Sequence, residues 1–219
     1  VLYASSVWAP IVDKKYASRR LNQLTRSFAI RIAKAHRTIS FTASVLLSGI
    51  LPLDLRVKEK TALTNKQAPV YDGVPVSNVK HQLRTSTLEE WQRRFSEATT
   101  GEITKLFFAD VRQAYKFLRK IKLTNTKAQL FTGHGGFGEY VHKFKLRDNT
   151  YCECDGQAKQ TVICECPRFS SKRNDLEQML DEPIAQNSLR KFVEDNDCRK
   201  VSRVRGIRIT VTIAALNIK

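Results

Sequence analysis

Five cysteines crowd the last third of this sequence, at positions 152, 154, 164, 166 and 198. Thiols set this close together bind a metal ion or stand ready to be oxidised. A secreted disulfide scaffold would spread its cysteines and carry an export signal; a cluster with neither points to an intracellular protein and a metal site. Upstream, LFTGHGGFGEYVHKF at 130–144 places Gly133, Gly135 and Gly138 in the spacing G-x-G-x-x-G. Such a loop can cradle a dinucleotide if a strand feeds it, a helix follows, and an acidic residue ~20 positions on receives the ribose. The stretch ahead of Gly133, KLTNTKAQLFT, is polar, unlike a buried strand, and Asp155 does not rescue the pattern. A nicotinamide-dependent oxidoreductase is carried only as a rival from another class.

Charge supplies the next constraint. Thirty-eight Lys and Arg against 21 Asp and Glu leave a net +17 over 219 residues. The excess is segregated: residues 1–60 hold eleven basic and three acidic side chains, and residues 111–147 hold nine and one. A surface of this kind attracts polyanions, and the expected partner is RNA or DNA, bound through phosphate contacts and counterion release. No run of ~18 apolar residues is present to span a membrane, and VLYASSVWAPIV reads as the interior of a longer protein.

These groups need elements to position them. Residues 15–37 have helical periodicity, with Ala17, Leu21, Leu24, Phe28, Ile32 and Ala35 predicted to be the buried face. Lys15, Arg19, Arg26 and Arg37 fall on the opposite face, free to meet phosphates. A second helix is expected from Ser40 to Gly49 and a third from Leu53 to Leu63. Residues 64–86 read as a turn-rich linker. Thr87 with Glu90 forms a capping box for a helix burying Leu88, Trp91 and Phe95 and stopping at Gly101. Asp110 caps a further helix, in which Tyr115 and Phe117 interleave with Arg112, Lys116, Arg119 and Lys120. That mixture suits either a core or a surface that stacks bases and holds phosphates. Alternation from Ile207 to Ile213 predicts a strand.

The sequence around the glycines, QLFTGHGGFGEYVHKF, resembles the block Q-x-L-T-G-H-G-x-F-x-x-Y-L-x-x-F of non-LTR (LINE-type) retrotransposon polyproteins, in particular the insect ribosomal-DNA-targeted, Jockey and I-like groups. Gln129, Leu130, Thr132, Gly133, His134, Gly135, Phe137, Tyr140 and Phe144 occupy its positions. Neighbouring blocks follow in the family's order. VLYASSVW is similar to V-L-Y-G-x-x-V-W, LLSGILPLDL to L-A-G-x-x-P-L-D-L, and LEEWQRRF to W-Q-x-R-W. The similarity runs from about residue 1 to 170.

The resemblance implies a mainly α fold. It divides the chain into the end of the palm with a helical thumb-like bundle (1–63), a linker (64–86), a helical connector with the glycine turn (87–147), a Cys-rich zinc-knuckle-like segment (148–170) and a tail (171–219). Gly133 and Gly135 then form a turn between two helices with His134 at its apex, and His134 and Lys143 join the nucleic-acid candidates. YCECDGQAKQTVICECPRF is similar to the family's C-x(1–2)-C…H-x(3–5)-C-P segment. Cys152 and Cys154 stand as the first zinc ligands and Cys166 as the last, with Cys164 the natural stand-in for the absent histidine and His142 the outside candidate; Cys198 lies outside the pattern. No Tyr-x-Asp-Asp element occurs, so the Mg-binding palm of the parent polymerase is expected upstream. The chain itself is read as a non-catalytic nucleic-acid-binding fragment of a ribonucleoprotein, nuclear or cytoplasmic. A degenerate or host-recruited remnant with a structural role is the alternative.

Overall fold

A computed structural model describes residues 2–66, 75–121, 123–135, 138–151, 154, 156–157, 162–180 and 183–185. Cys152, Cys198 and the strand expected at 207–213 lie outside these. The described chain is helical: α1 Ser5–Trp8, a 3-10 turn Ala9–Asp13, α2 Lys15–Ala33, α3 Phe41–Ser48, α4 Leu53–Lys66 and α5 Val76–Glu97. There follow α6 Glu102–Phe107, α7 Val111–Leu118, α8 Asn125–Thr132, α9 Gly138–Lys143, α10 Val162–Glu165, a 3-10 turn Pro167–Phe169 and α11 Ser170–Leu180. No strand element occurs among them, and the fold is mainly α as predicted. No helix among the described residues is long and apolar enough to cross a membrane.

The chain forms two units. The first comprises Val1–Ala33, Ser40–Thr100 and Asp110–Lys120; the second comprises Lys34–Ile39, Gly101–Ala109 and Ile121–Lys219. In the first, α2 packs on α3 and α4, α4 on α5, and α7 on both α3 and α5. Ala9, Val12, Leu21 and Val57 form one core cluster, flanked by Leu2, Trp8 and Leu53. Helix α3 has the limits its sequence predicts. The Ser40 hydroxyl accepts from the Ala43 amide at 3.2 Å, and Gly49 ends the helix at φ +64°. A β-carbon at Gly49 would lie 2.9 Å from the Arg119 side chain, so the residue also admits α7.

The buried face of helix α2 includes Leu21, as predicted, but otherwise differs from the predicted one. Leu21, Thr25, Ala29 and Ala33 are buried, whereas Leu24, Phe28 and Ile32 are 47%, 53% and 52% exposed. Two apolar stripes compete on this helix, and the narrower one wins because small side chains let a neighbouring helix approach closely. Thr25 secures the choice. Its hydroxyl donates to the Leu21 carbonyl at 2.7 Å and accepts from the Leu53 amide at 3.2 Å, tying α2 to the start of α4. The helix ends at Ala33, with Lys34 at φ +53°, so Arg37 lies beyond it in the second unit.

Helix α5 also starts earlier than predicted. Pro75 precedes it, and Val79, Leu88, Trp91 and Phe95 form its buried side. Thr87 is therefore mid-helix, its hydroxyl donating to the Leu83 carbonyl at 2.8 Å instead of capping. Much of the segment read as a linker is thus helical; residues 67–74 lie outside the description. Gly101, expected to stop this helix, instead precedes α6 at φ +80°.

In the second unit α6 packs on α8. The Phe107 and Phe108 rings each meet Phe131 edge-on at 5.1 Å, and the Thr104 hydroxyl donates to the Phe131 carbonyl at 2.8 Å. These contacts fix the end of α8, where Gly133 turns the chain at φ +67°.

Candidate nucleic-acid interface

The i, i+4, i+7, i+11 spacing of Lys15, Arg19, Asn22 and Arg26 puts them on one face of α2. With Ser18 and Gln23 they line an open groove of about 580 Å³ in the first unit. Val12, Asp13 and Phe41 form further wall, and Asp54, Lys58 and Arg94 complete it. Lys15 and Arg19 are exposed and make no salt bridge among the described residues, so their charge is available to a ligand. Lys58 pairs with Asp13 at 2.6 Å, and that hydrogen bond and charge hold the Asp13 carboxyl below its usual range.

Asp54 is 1% exposed. Its Oδ2 accepts from the Arg94 guanidinium and from the Ser18 hydroxyl at 3.4 Å, while Arg94 Nε donates to Glu90 at 2.8 Å. This joins α2, α4 and α5. Asp54 Oδ1 and Asn22 Oδ1 are screened from solvent and accept no hydrogen bond. Sequence reasoning found the three cations of α2 by periodicity. It missed Asn22, Asp54, Lys58 and Arg94, because the Asp54–Arg94 pair spans 40 positions and no local pattern signals it.

The basic helix α7 is engaged differently. Arg112 pairs with Glu89 at 2.6 Å. The Tyr115 hydroxyl accepts from Arg84 at 3.1 Å and from Arg119 at 3.0 Å, and the Arg119 guanidinium lies 5.0 Å from the centre of the same ring. Tyr115 also meets Trp91 edge-on at 5.9 Å, so it is held by its own fold. Lys116 and Lys120 are exposed on the first unit; Arg37 and Lys143 are exposed on the second.

In the glycine turn, the helix α8 stands where a dinucleotide loop needs a strand. The His134 Nδ1 lies 2.8 Å from the Thr132 carbonyl, and its ring is 4.9 Å from Tyr140. Burial pushes the His134 pKa down, which keeps the imidazole neutral and donating to that carbonyl. Tyr140 packs against His36 and Phe144 and shares a 2.8 Å hydrogen bond with Thr38. The histidine at the apex is therefore a packed turn residue.

Of the cysteines, Cys154 is exposed, Cys164 half-buried and Cys166 buried. The Cys154 and Cys166 sulfurs are 3.5 Å apart, close to the ~3.7 Å edge of a zinc–thiolate tetrahedron with bonds of ~2.3 Å. Among the described residues no third Cys, His or carboxylate joins them.

No family model matches the chain, and no solved structure matches it. Curated relatives do. The chain is 28% identical over 191 residues, 80% of its length, to the "Retrovirus-related Pol polyprotein from type-1 retrotransposable element R1 4" of Nasonia vitripennis. It is 26% identical over 93% of its length to the "Putative 115 kDa protein in type-1 retrotransposable element R1DM" of Drosophila melanogaster. It is also 26% identical over 94% of its length to the R1 Pol polyprotein of Bradysia coprophila. The chain spans 47%, 21% and 23% of these proteins' own lengths. Over most of its length, therefore, this sequence is homologous to a region of the Pol polyproteins of R1-type non-LTR retrotransposable elements.

Proposed function

We propose that this segment holds nucleic acid for a retrotransposon reverse transcriptase and takes no part in the bond-forming step. The groove along α2 is the grip. The observation that carries this is the convergence of Lys15, Arg19 and Arg26 on one groove, with Lys15 and Arg19 exposed. A strand lying there would release counterions for each phosphate neutralised. Polymerisation, with carboxylates holding Mg ions, belongs to other polypeptide of the parent protein. Cys154 and Cys166 would form one edge of a structural zinc site, with Cys164 and Cys152 as the remaining candidate ligands. Such an ion would brace this short segment and supply no chemistry to the grip.

Replacing Lys15, Arg19 and Arg26 together with alanine tests the grip. Single-stranded oligonucleotide affinity should fall at low salt, and the slope of log K against log salt should lose about 0.7 for each phosphate contact removed. Unchanged affinity and slope would overturn the reading. Metal analysis tests the zinc site separately: about one zinc per chain is expected, lost in Cys166→Ser, and metal-free protein overturns it.

A further inference from the structure

We propose that Cys154 and Cys166 form a reversible disulfide site, with a peroxide as oxidant, Cys154 the thiol it oxidises and Cys166 the thiol that completes the bond. This site is separate from the α2 groove, and it is open to oxidant while no zinc holds the two sulfurs. They lie 3.5 Å apart across 12 positions of sequence, so they need close by only about 1.5 Å to reach the ~2.05 Å of a disulfide. Their surroundings divide the work. Cys154 is exposed and meets oxidant from solvent, whereas Cys166 is buried and shielded from it. The movement falls to the Cys154 side. Gly156, two residues on, sits at φ +68° with no atom within 4 Å of where a β-carbon would stand. Cys166 is anchored instead: its carbonyl accepts from the Phe169 amide at 3.1 Å and from the Arg173 guanidinium at 3.3 Å, and Phe169 is itself buried. The peroxide transfers one oxygen atom to the Cys154 sulfur, giving a sulfenic acid and one water. The Cys166 sulfur attacks that sulfur, and its proton leaves with the displaced hydroxyl as a second water. The thiol pair gives up two electrons, which the broken O–O bond takes. A dithiol reductant reverses the step. Joined sulfurs have no thiolate to give a metal, so oxidation also decides whether zinc can load.

The experiment treats the full chain, reduced and stripped of metal by a chelator, with stoichiometric hydrogen peroxide under native conditions. Fold is checked by circular dichroism, and the products are read by thiol titration and by mass spectrometry of tryptic fragments. Reduced thiols should fall from five to three per chain and return with dithiothreitol. The fragments 148–159 and 160–168 should then migrate as one species, lighter by two hydrogen atoms than their sum, with fragmentation placing the link at Cys154 and Cys166. A protein carrying Cys152→Ser and Cys164→Ser together should keep the link, and Cys154→Ser should lose it. A link that joins other cysteines, or one between chains, overturns the assignment. So does a Cys154 that goes on to sulfinic acid while Cys166 stays reduced. Should the double variant fail to fold, the position of the link in the unsubstituted chain still decides the pairing. None of these outcomes bears on oligonucleotide binding, so the groove reading stands or falls by its own test.

Discussion

The two units hold themselves together with opposite materials. In the first, helices are joined by buried charge: Asp54 takes Arg94 and Ser18, Glu59 takes Arg84, and Arg84 reaches on to Tyr115. In the second, the joints are rings: Phe107 and Phe108 close on Phe131, and His134, Tyr140 and Phe144 pack at tilted angles beside the glycine turn. A strongly cationic chain has reason to fasten its charged unit this way. Arginines anchored to carboxylates are spent on structure, while lysine and arginine left unpaired at the groove rim remain available to a polyanion. Among its described residues, the aromatic unit is joined through these ring contacts and the apolar surface they bury.

Substitutions can break this contrast, because both tryptophans, Trp8 and Trp91, belong to the first unit. Tryptophan emission therefore reads that unit, whereas circular dichroism reads both. The largest effect is expected from Phe131→Ala, which empties the meeting point of three rings and should cost about 3–5 kcal/mol. Helical signal should be lost at lower denaturant than in the parent, with the tryptophan transition moving less. Asp54→Ala should do the reverse. Removing the carboxylate leaves Arg94 with Glu90 alone, and the cost is about 2–3 kcal/mol, under the range for a fully buried pair because that partner remains and about a third of the Arg94 side chain stays in water. If both probes shift equally in both variants, the units are not fastened separately and the contrast fails.

Gly133→Ala sharpens the picture of the turn. The residue sits at φ +67° with the Ile103 side chain 3.0 Å from where a β-carbon would be. A destabilisation of about 1–2 kcal/mol is expected in thermal melts, and a neutral substitution would mean the turn is not held as described. The smallest effect concerns acid. Hydrogen bonds from Arg93 and Arg94 pull the Glu90 carboxyl from 4.5 to about 2. A depressed folded pKa stabilises the protein above pH 4.5, and that contribution is lost as pH falls towards about 2. Because these side chains are partly solvated, the amount is only about 0.5 kcal/mol. Glu90→Gln should flatten acid unfolding by that much; an identical pH profile would show the pair to be idle.

What could be read from sequence was local. Ser40 and Gly49 delimit α3, Asp110 caps α7 through the Arg112 and Gln113 amides, and Gly133 ends α8, each by groups within four residues of one another. What could not be read depended on distant partners. The periodicity of α2 offered two apolar stripes, and only α3 and α4 decided between them. The start of α5 was hidden because its first turns are polar and bury little beyond Val79. The candidate groove was half legible: its cations lie on one helix face, but its inner carboxylate is fixed by an arginine that no nearby pattern announces.

Helix α2 has no idle side. One flank, Leu21 to Ala33, is interior; a second carries Lys15, Arg19 and Arg26; a third displays Leu24, Phe28 and Ile32 to solvent. Each residue advances the helix by about 100°. Inserting or deleting a single amino acid near its middle would therefore turn Arg26, Phe28, Ala29, Ile32 and Ala33 away from their present surroundings together, while Lys15 and Arg19 stayed in place.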